Sequence, residues 1–155
     1  RNNVPVAYAL LKLVHVLAVV LWVGGMAFAH FFLRPAVQPL ETAQRLALMQ
    51  RVLQRFLAAA GWSVLAALAS GAGLFAMVTA GFVMPWAWSA MAALGVVMAL
   101  IYGFVRFVFY PRLARAVAAQ DWPAGGAAMA RIRMWVGINL ALGVLTIVIA
   151  IAVRA

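Results

Sequence analysis

From Phe56 to Val83 the chain reads FLAAAGWSVLAALASGAGLFAMVTAGFV, with no charged side chain, and the connection Gly81 to Trp88 that follows is uncharged as well. A helix that long, rising 1.5 Å per residue, spans the roughly 30 Å hydrocarbon layer of a bilayer. Three further apolar stretches, at about residues 6–33, 86–110 and 134–153, are long enough to do the same. The composition agrees: 69% of residues are hydrophobic, 9% are charged and mean hydropathy is +1.10, against roughly 25% charged residues in soluble domains. The chain therefore reads as all-α, an integral membrane four-helix bundle forming one domain over residues 1–155, with the lipid bilayer as its first partner. The initial apolar run is longer and richer in polar function than a cleaved signal peptide and is read as a mature span.

Between the spans the pattern changes. The first span ends at Arg34 and Pro35, and the third at Tyr110 and Pro111, because proline cannot continue a helical hydrogen-bond ladder. Residues 39–55, PLETAQRLALMQRVLQR, alternate arginines with Leu46, Leu48, Met49, Val52 and Leu53. That is the pattern of an interfacial amphipathic helix lying on the membrane between spans 1 and 2, with Glu41 paired to Arg45 across one turn. Gly24 and Gly25 mark a close helix contact, since small residues let transmembrane backbones approach. Arg106, near the end of the third span, reads as snorkelling to the interface, with an inward reach to a polar partner as the alternative. Asp121, the only aspartate, sits in a turn and helix start, Asp121-Trp122-Pro123, and is read as a helix cap.

The first and third connections are rich in arginine and the second has no basic residue. Basic loops face the cytoplasm, so both termini and the Gly81 to Trp88 turn are expected to face outward. The net charge of +10 is thus a topology signal and not a nucleic-acid footprint. Absence of cysteine removes disulfides, thiolate metal sites and thiol redox chemistry. No carboxylate pair, Ser/His/Asp set, phosphate loop or zinc motif is present, which excludes a hydrolase or an ATP-driven pump.

What remains for chemistry lies on the first span. At 100° per residue, Lys12, His15, Trp22, Met26 and His30 fall within about 80° of one another, so a single stripe carries both histidines and the only lysine. The orientation divides this stripe. Lys12 and His15 lie toward the outer side, at the depth where the third span begins with Trp88, Ser89 and Met91, and near Met84. His30 lies toward the inner side, at the depth of Asn139 on the fourth span, close enough to expect a hydrogen bond. Trp22 and Met26 line the packed middle. Imidazole and thioether are ligands for copper or haem iron, which makes His15, Met91 and Met84 the candidate metal ligands and Lys12, His15, His30 and Asn139 the candidate cofactor-binding residues. His15 and His30 are about 22 Å apart along a straight helix, so one bis-histidine haem within the chain is excluded.

The segments KLVHVLAVVLWVGGMAFAHFFLRPAV, QRVLQRFLAAAGWSVLAALASGAGL and AAQDWPAGGAAMARIRMWVGINLALGVLTI resemble the short, stand-alone CopD-like membrane proteins of bacteria, over nearly the whole chain. The resemblance implies a role in copper resistance or uptake, with outer-side His and Met residues as copper ligands. The Lys12 to Gly25 arrangement, K-x-x-H then W-x-G-G, also looks like the first helix of the HemJ-type protoporphyrinogen oxidases, a shorter likeness that implies haem b bound by His15. At the start of the third span, where such relatives often carry His or a His/Lys pair, this chain reads PWAWSAMAALG, with Ser89 and Met91 in that region. Three readings stay open: a copper protein, a haem-b membrane oxidoreductase, and a small accessory subunit of a larger membrane complex or homo-oligomer.

Overall fold

A computed structural model describes residues 3–79 and 86–152. Its element order is α1 (Asn3–Phe28), a π-helical segment (Ala29–Leu33), α2 (Arg34–Ala36), α3 (Thr42–Thr79), α4 (Trp86–Phe104), a second π-helical segment (Val105–Phe109), α5 (Tyr110–Ala118) and α6 (Trp122–Ala152). These join into four rods, each long and apolar enough to cross a membrane: Val6–Ala36, Thr42–Met77, Trp86–Ala118 and Trp122–Ala152. Phe31, Phe32, Trp62 and Phe107 are exposed, as expected of side chains that face lipid. Most of the Gly81 to Trp88 connection lies outside the described residues.

The prolines do not end the spans. Ahead of each one the helix widens, with Arg34 N–H bonding to Ala29 O and Tyr110 N–H to Val105 O, five residues back. The extra residue per turn makes room for the Pro35 and Pro111 rings and their missing donors, and the rods continue to Ala36 and Ala118. Both π-helical segments carry a polar residue of interest, His30 in the first and Arg106 in the second.

The amphipathic stretch also differs from expectation, because it runs into the second span as one 38-residue helix. Its apolar face does not lie on lipid: Leu46, Met49, Leu53 and Leu57 are buried against Phe109, Leu113, Met129 and Ile132 from the third and fourth rods. Those rods extend just as far, so the stripe finds protein where a lone helix would find membrane. The Glu41–Arg45 ion pair does not form among the described residues. The Arg45 guanidinium reaches back to Gln38 O at 3.5 Å.

Lipid tails are as apolar as leucine, so close approach of small residues holds membrane helices together. On α3 the buried positions Ala60, Ser63, Ala67 and Ser70 recur every three or four residues and form a shallow groove for α1. Ser63 and Ser70 bond their hydroxyls to carbonyls one turn earlier, leaving the groove apolar in effect. Gly25 of α1 accepts the Phe56 ring so closely that any Cβ would overlap it, whereas Gly24 faces open space. Mid-bundle, Trp22, Val23 and Met26 pack with Ala60, Val64, Met98 and Leu140.

The turn between α5 and α6 is built as the sequence implies. Asp121 Oδ1 accepts from Ala124 N–H at 3.0 Å, capping α6. Before it, Gln120 N–H bonds to Val117 O and Asp121 N–H to Ala116 O, the paired bonds of a Schellman motif, which sets Gln120 at φ 56°. A left-handed residue with a Cβ is strained, so Gln120→Gly is expected to stabilise the bundle by about 0.5–1 kcal/mol, read as a higher unfolding midpoint in detergent. An unchanged or lower midpoint would contradict this.

Candidate functional site

His15 is positioned by the α1–α3 groove. Its ring lies over Gly71, where a Cβ would stand 3.2 Å from Cε1. Nδ1 is 2.9 Å from Ala67 O and 3.1 Å from Ser70 Oγ. A carbonyl can only accept, so Nδ1 carries the proton and donates to it. The Ser70 hydroxyl donates to Ala66 O and offers its oxygen to the same Nδ1–H. In a neutral ring this selects the Nδ1–H tautomer, which leaves the lone pair on Nε2. Histidines that ligate metals are held in the same way, with the second ring nitrogen donating to a carbonyl or carboxylate. Ala67 and Ser70 were not legible as partners of His15 from the sequence.

The other candidates expected on the side of His15 are placed as follows. Lys12 is half-buried one turn earlier on the same face of α1, and Met91 is half-buried on α4. The polar contacts of His15 run to α3, and none runs to Met91. Met84 lies outside the described residues. Among the described residues no three His, Cys, Asp or Glu side chains cluster as a metal site. His15 thus offers one oriented nitrogen. A small cavity at the middle of the bundle and a larger one at the arginine-rich end are both lined by other residues than His15.

The inner candidates do not join. The His30 ring meets Phe31 edge-on, centroids 5.0 Å apart, and its Cε1 is 3.9 Å from where a Cβ on Gly137 would stand. Asn139 is two residues further along α6, about 200° around the helix, and so turns away from His30. It is 3% exposed, and its Oδ1 has no hydrogen-bond partner. It lines a small central cavity with Trp22, Met26, Phe56 and Tyr102, so the middle of the stripe is packed as expected but faces an unsatisfied carbonyl. Arg106 does more than snorkel. Its guanidinium lies 5.5 Å from the Tyr110 ring centre and 5.8 Å from that of Phe107.

Four apolar rods, an imidazole anchored in one half and arginines gathered at the other end define a multi-pass membrane bundle with a polar seam. Residues 50–153, about two thirds of the chain, match the family model described as Copper resistance protein D. The chain belongs to this CopD family and is a copper-resistance-related membrane protein. The match takes in most of α3 and all of α4, α5 and α6, while α1 with Lys12, His15 and His30 lies before it. No curated protein and no solved structure matches the chain. The comparisons do not support the HemJ-type likeness.

Proposed function

We propose that this protein handles copper in a bacterial inner membrane, with copper as its cargo and His15 as the first ligand that cargo meets. The observation that carries the reading is the hydrogen bond from His15 Nδ1 to Ala67 O, which presents Nε2 as a neutral donor. Family membership points to copper as the metal, and the Met91 thioether is the soft donor proposed to join His15, with Met84, which lies outside the described residues, as a second. In the proposed orientation the arginine-rich end is cytoplasmic, and His15, Lys12 and both termini face the periplasm.

The test is an anaerobic Cu(I) titration of the purified protein against a competing chelator. Wild type is expected to bind Cu(I), His15→Ala to lose it, and Gly71→Val, which pushes on the ring, to bind about 10–100-fold more weakly. Equal stoichiometry in wild type and in His15→Ala with Met91→Leu removes the proposed ligands. A Soret band abolished by His15→Ala replaces copper by haem b. With neither metal nor haem bound, co-purification with a partner complex in mild detergent supports the accessory role.

A further inference from the structure

At the arginine-rich end, a cavity of about 120 Å³ opens between the end of α2, the start of α3 and the start of α6. Arg34, Arg45 and Arg133 line it, one from each of three rods, and Val37, Leu46 and Met129 form its apolar wall. Arg133 is half-buried there beside Arg34 and Arg45. Among the described residues none of the three is paired with a carboxylate. The chain has two acidic residues against twelve basic ones: Asp121 is engaged in capping α6, and Glu41 forms no ion pair among the described residues. The surrounding backbone adds to the effect, because Arg45 lies in the first turn of α3, where the helix dipole already favours negative charge and disfavours a cation. Gly126, in the second turn of α6, leaves the cavity mouth open, with nothing within 4 Å of where its Cβ would stand.

Three like charges line one concave site with an apolar wall, and among the described residues no carboxylate is paired with them. We propose that this cavity is a binding site for a phosphate-bearing anion, gripped by Arg34, Arg45 and Arg133. Guanidinium forks match phosphate oxygens in pairs, and several on one group give geometric as well as electrostatic selectivity. A phosphodiester with a short apolar attachment fits the mixed lining, and such a group comes from an anionic phospholipid or from a soluble phosphate ester. The site is independent of the copper reading and stands or falls separately from it.

The full chain in dodecyl maltoside provides the test, with its thermal unfolding midpoint as the readout. The probes are dioleoylphosphatidylglycerol, with dioleoylphosphatidylcholine as the zwitterionic control, and inorganic phosphate against chloride at equal ionic strength. An upward shift with the glycerol lipid beyond that with the choline lipid is expected. Arg133→Gln and Arg34→Gln should each weaken the response about tenfold in probe concentration, the loss of one charge-assisted contact. Gly126→Phe should abolish it by filling open space, and Arg115→Gln, which removes the same charge outside the cavity, should leave it intact. A cavity-dependent shift with the lipid alone assigns the site to a headgroup, and the same shift with inorganic phosphate assigns it to a soluble ester. No shift with either probe, or a shift that Arg34→Gln, Arg133→Gln and Gly126→Phe all retain, overturns the proposal.

Discussion

Gly61→Ala is expected to destabilise the bundle by about 2 kcal/mol, although alanine is ordinarily the better helix former by about 1 kcal/mol. The added Cβ would stand 2.6 Å from the Tyr102 hydroxyl, which donates to Leu57 O at 2.7 Å across the α3–α4 interface. Leu57 is four residues before Gly61, so the hydroxyl rests on the helix turn that only a glycine leaves bare. Alanine must push the ring away, at an overpacking cost of about 1–3 kcal/mol, and it breaks the hydroxyl's bond to Leu57 O. Tyr102→Phe alone should cost only about 0.5–1.5 kcal/mol, because the Leu57 carbonyl keeps its own helical bond. The double variant is therefore expected to be more stable than Gly61→Ala. Unfolding in mixed detergent and dodecyl sulfate measures all three, and additive losses would show that the clash is not the cause.

The membrane spans were legible because they depend on composition over many residues, which one or two polar side chains do not disturb. Their ends were not. A proline marks the loss of a donor, but the chain absorbs that loss at Ala29 and Val105 by widening the turn, and nothing in HFFLRP or FVFYP distinguishes a widened helix from a broken one. The stripe of Leu46, Met49 and Leu53 is equally ambiguous. The same spacing suits a helix lying on lipid and one packed on a neighbour, and the length of the adjoining rods, a tertiary property, decides between them. An i to i+4 spacing permits the Glu41–Arg45 pair without requiring it, since an exposed pair gains little.

At the candidate site, the sequence marks the residues and their shared face, while the contacts come from other helices. His15 stands out as an ionisable group within a span, yet its anchor is the main-chain oxygen of Ala67, 52 residues away, which has no side-chain signature. For His30 and Asn139, depth alone was misleading. Both lie at one level of the bundle, but the two-residue step from Gly137 to Asn139 rotates the amide to the far side of α6.

Asn139 supports a second large effect, of opposite sign. Its Oδ1 is buried among apolar and aromatic side chains without a partner, and an unpaired buried acceptor costs about 1–3 kcal/mol. Asn139→Leu removes that acceptor, and the central cavity beside it accepts the additional methyl volume, so the variant is expected to be more stable by about 1–2 kcal/mol. Asn139→Asp, which introduces an ionisable group into the same apolar surroundings, should destabilise by at least as much. Dodecyl sulfate unfolding of the pair reads both signs. If Asn139→Leu is no more stable than wild type, an ordered water already satisfies the amide. If it is more stable and Cu(I) binding at His15 is unchanged, the cost of Asn139 falls on the bundle core and is separable from the outer site. A gain in stability with loss of Cu(I) binding would instead tie the central cavity to the path of the ion, because natural chains retain destabilising polar groups where function needs them.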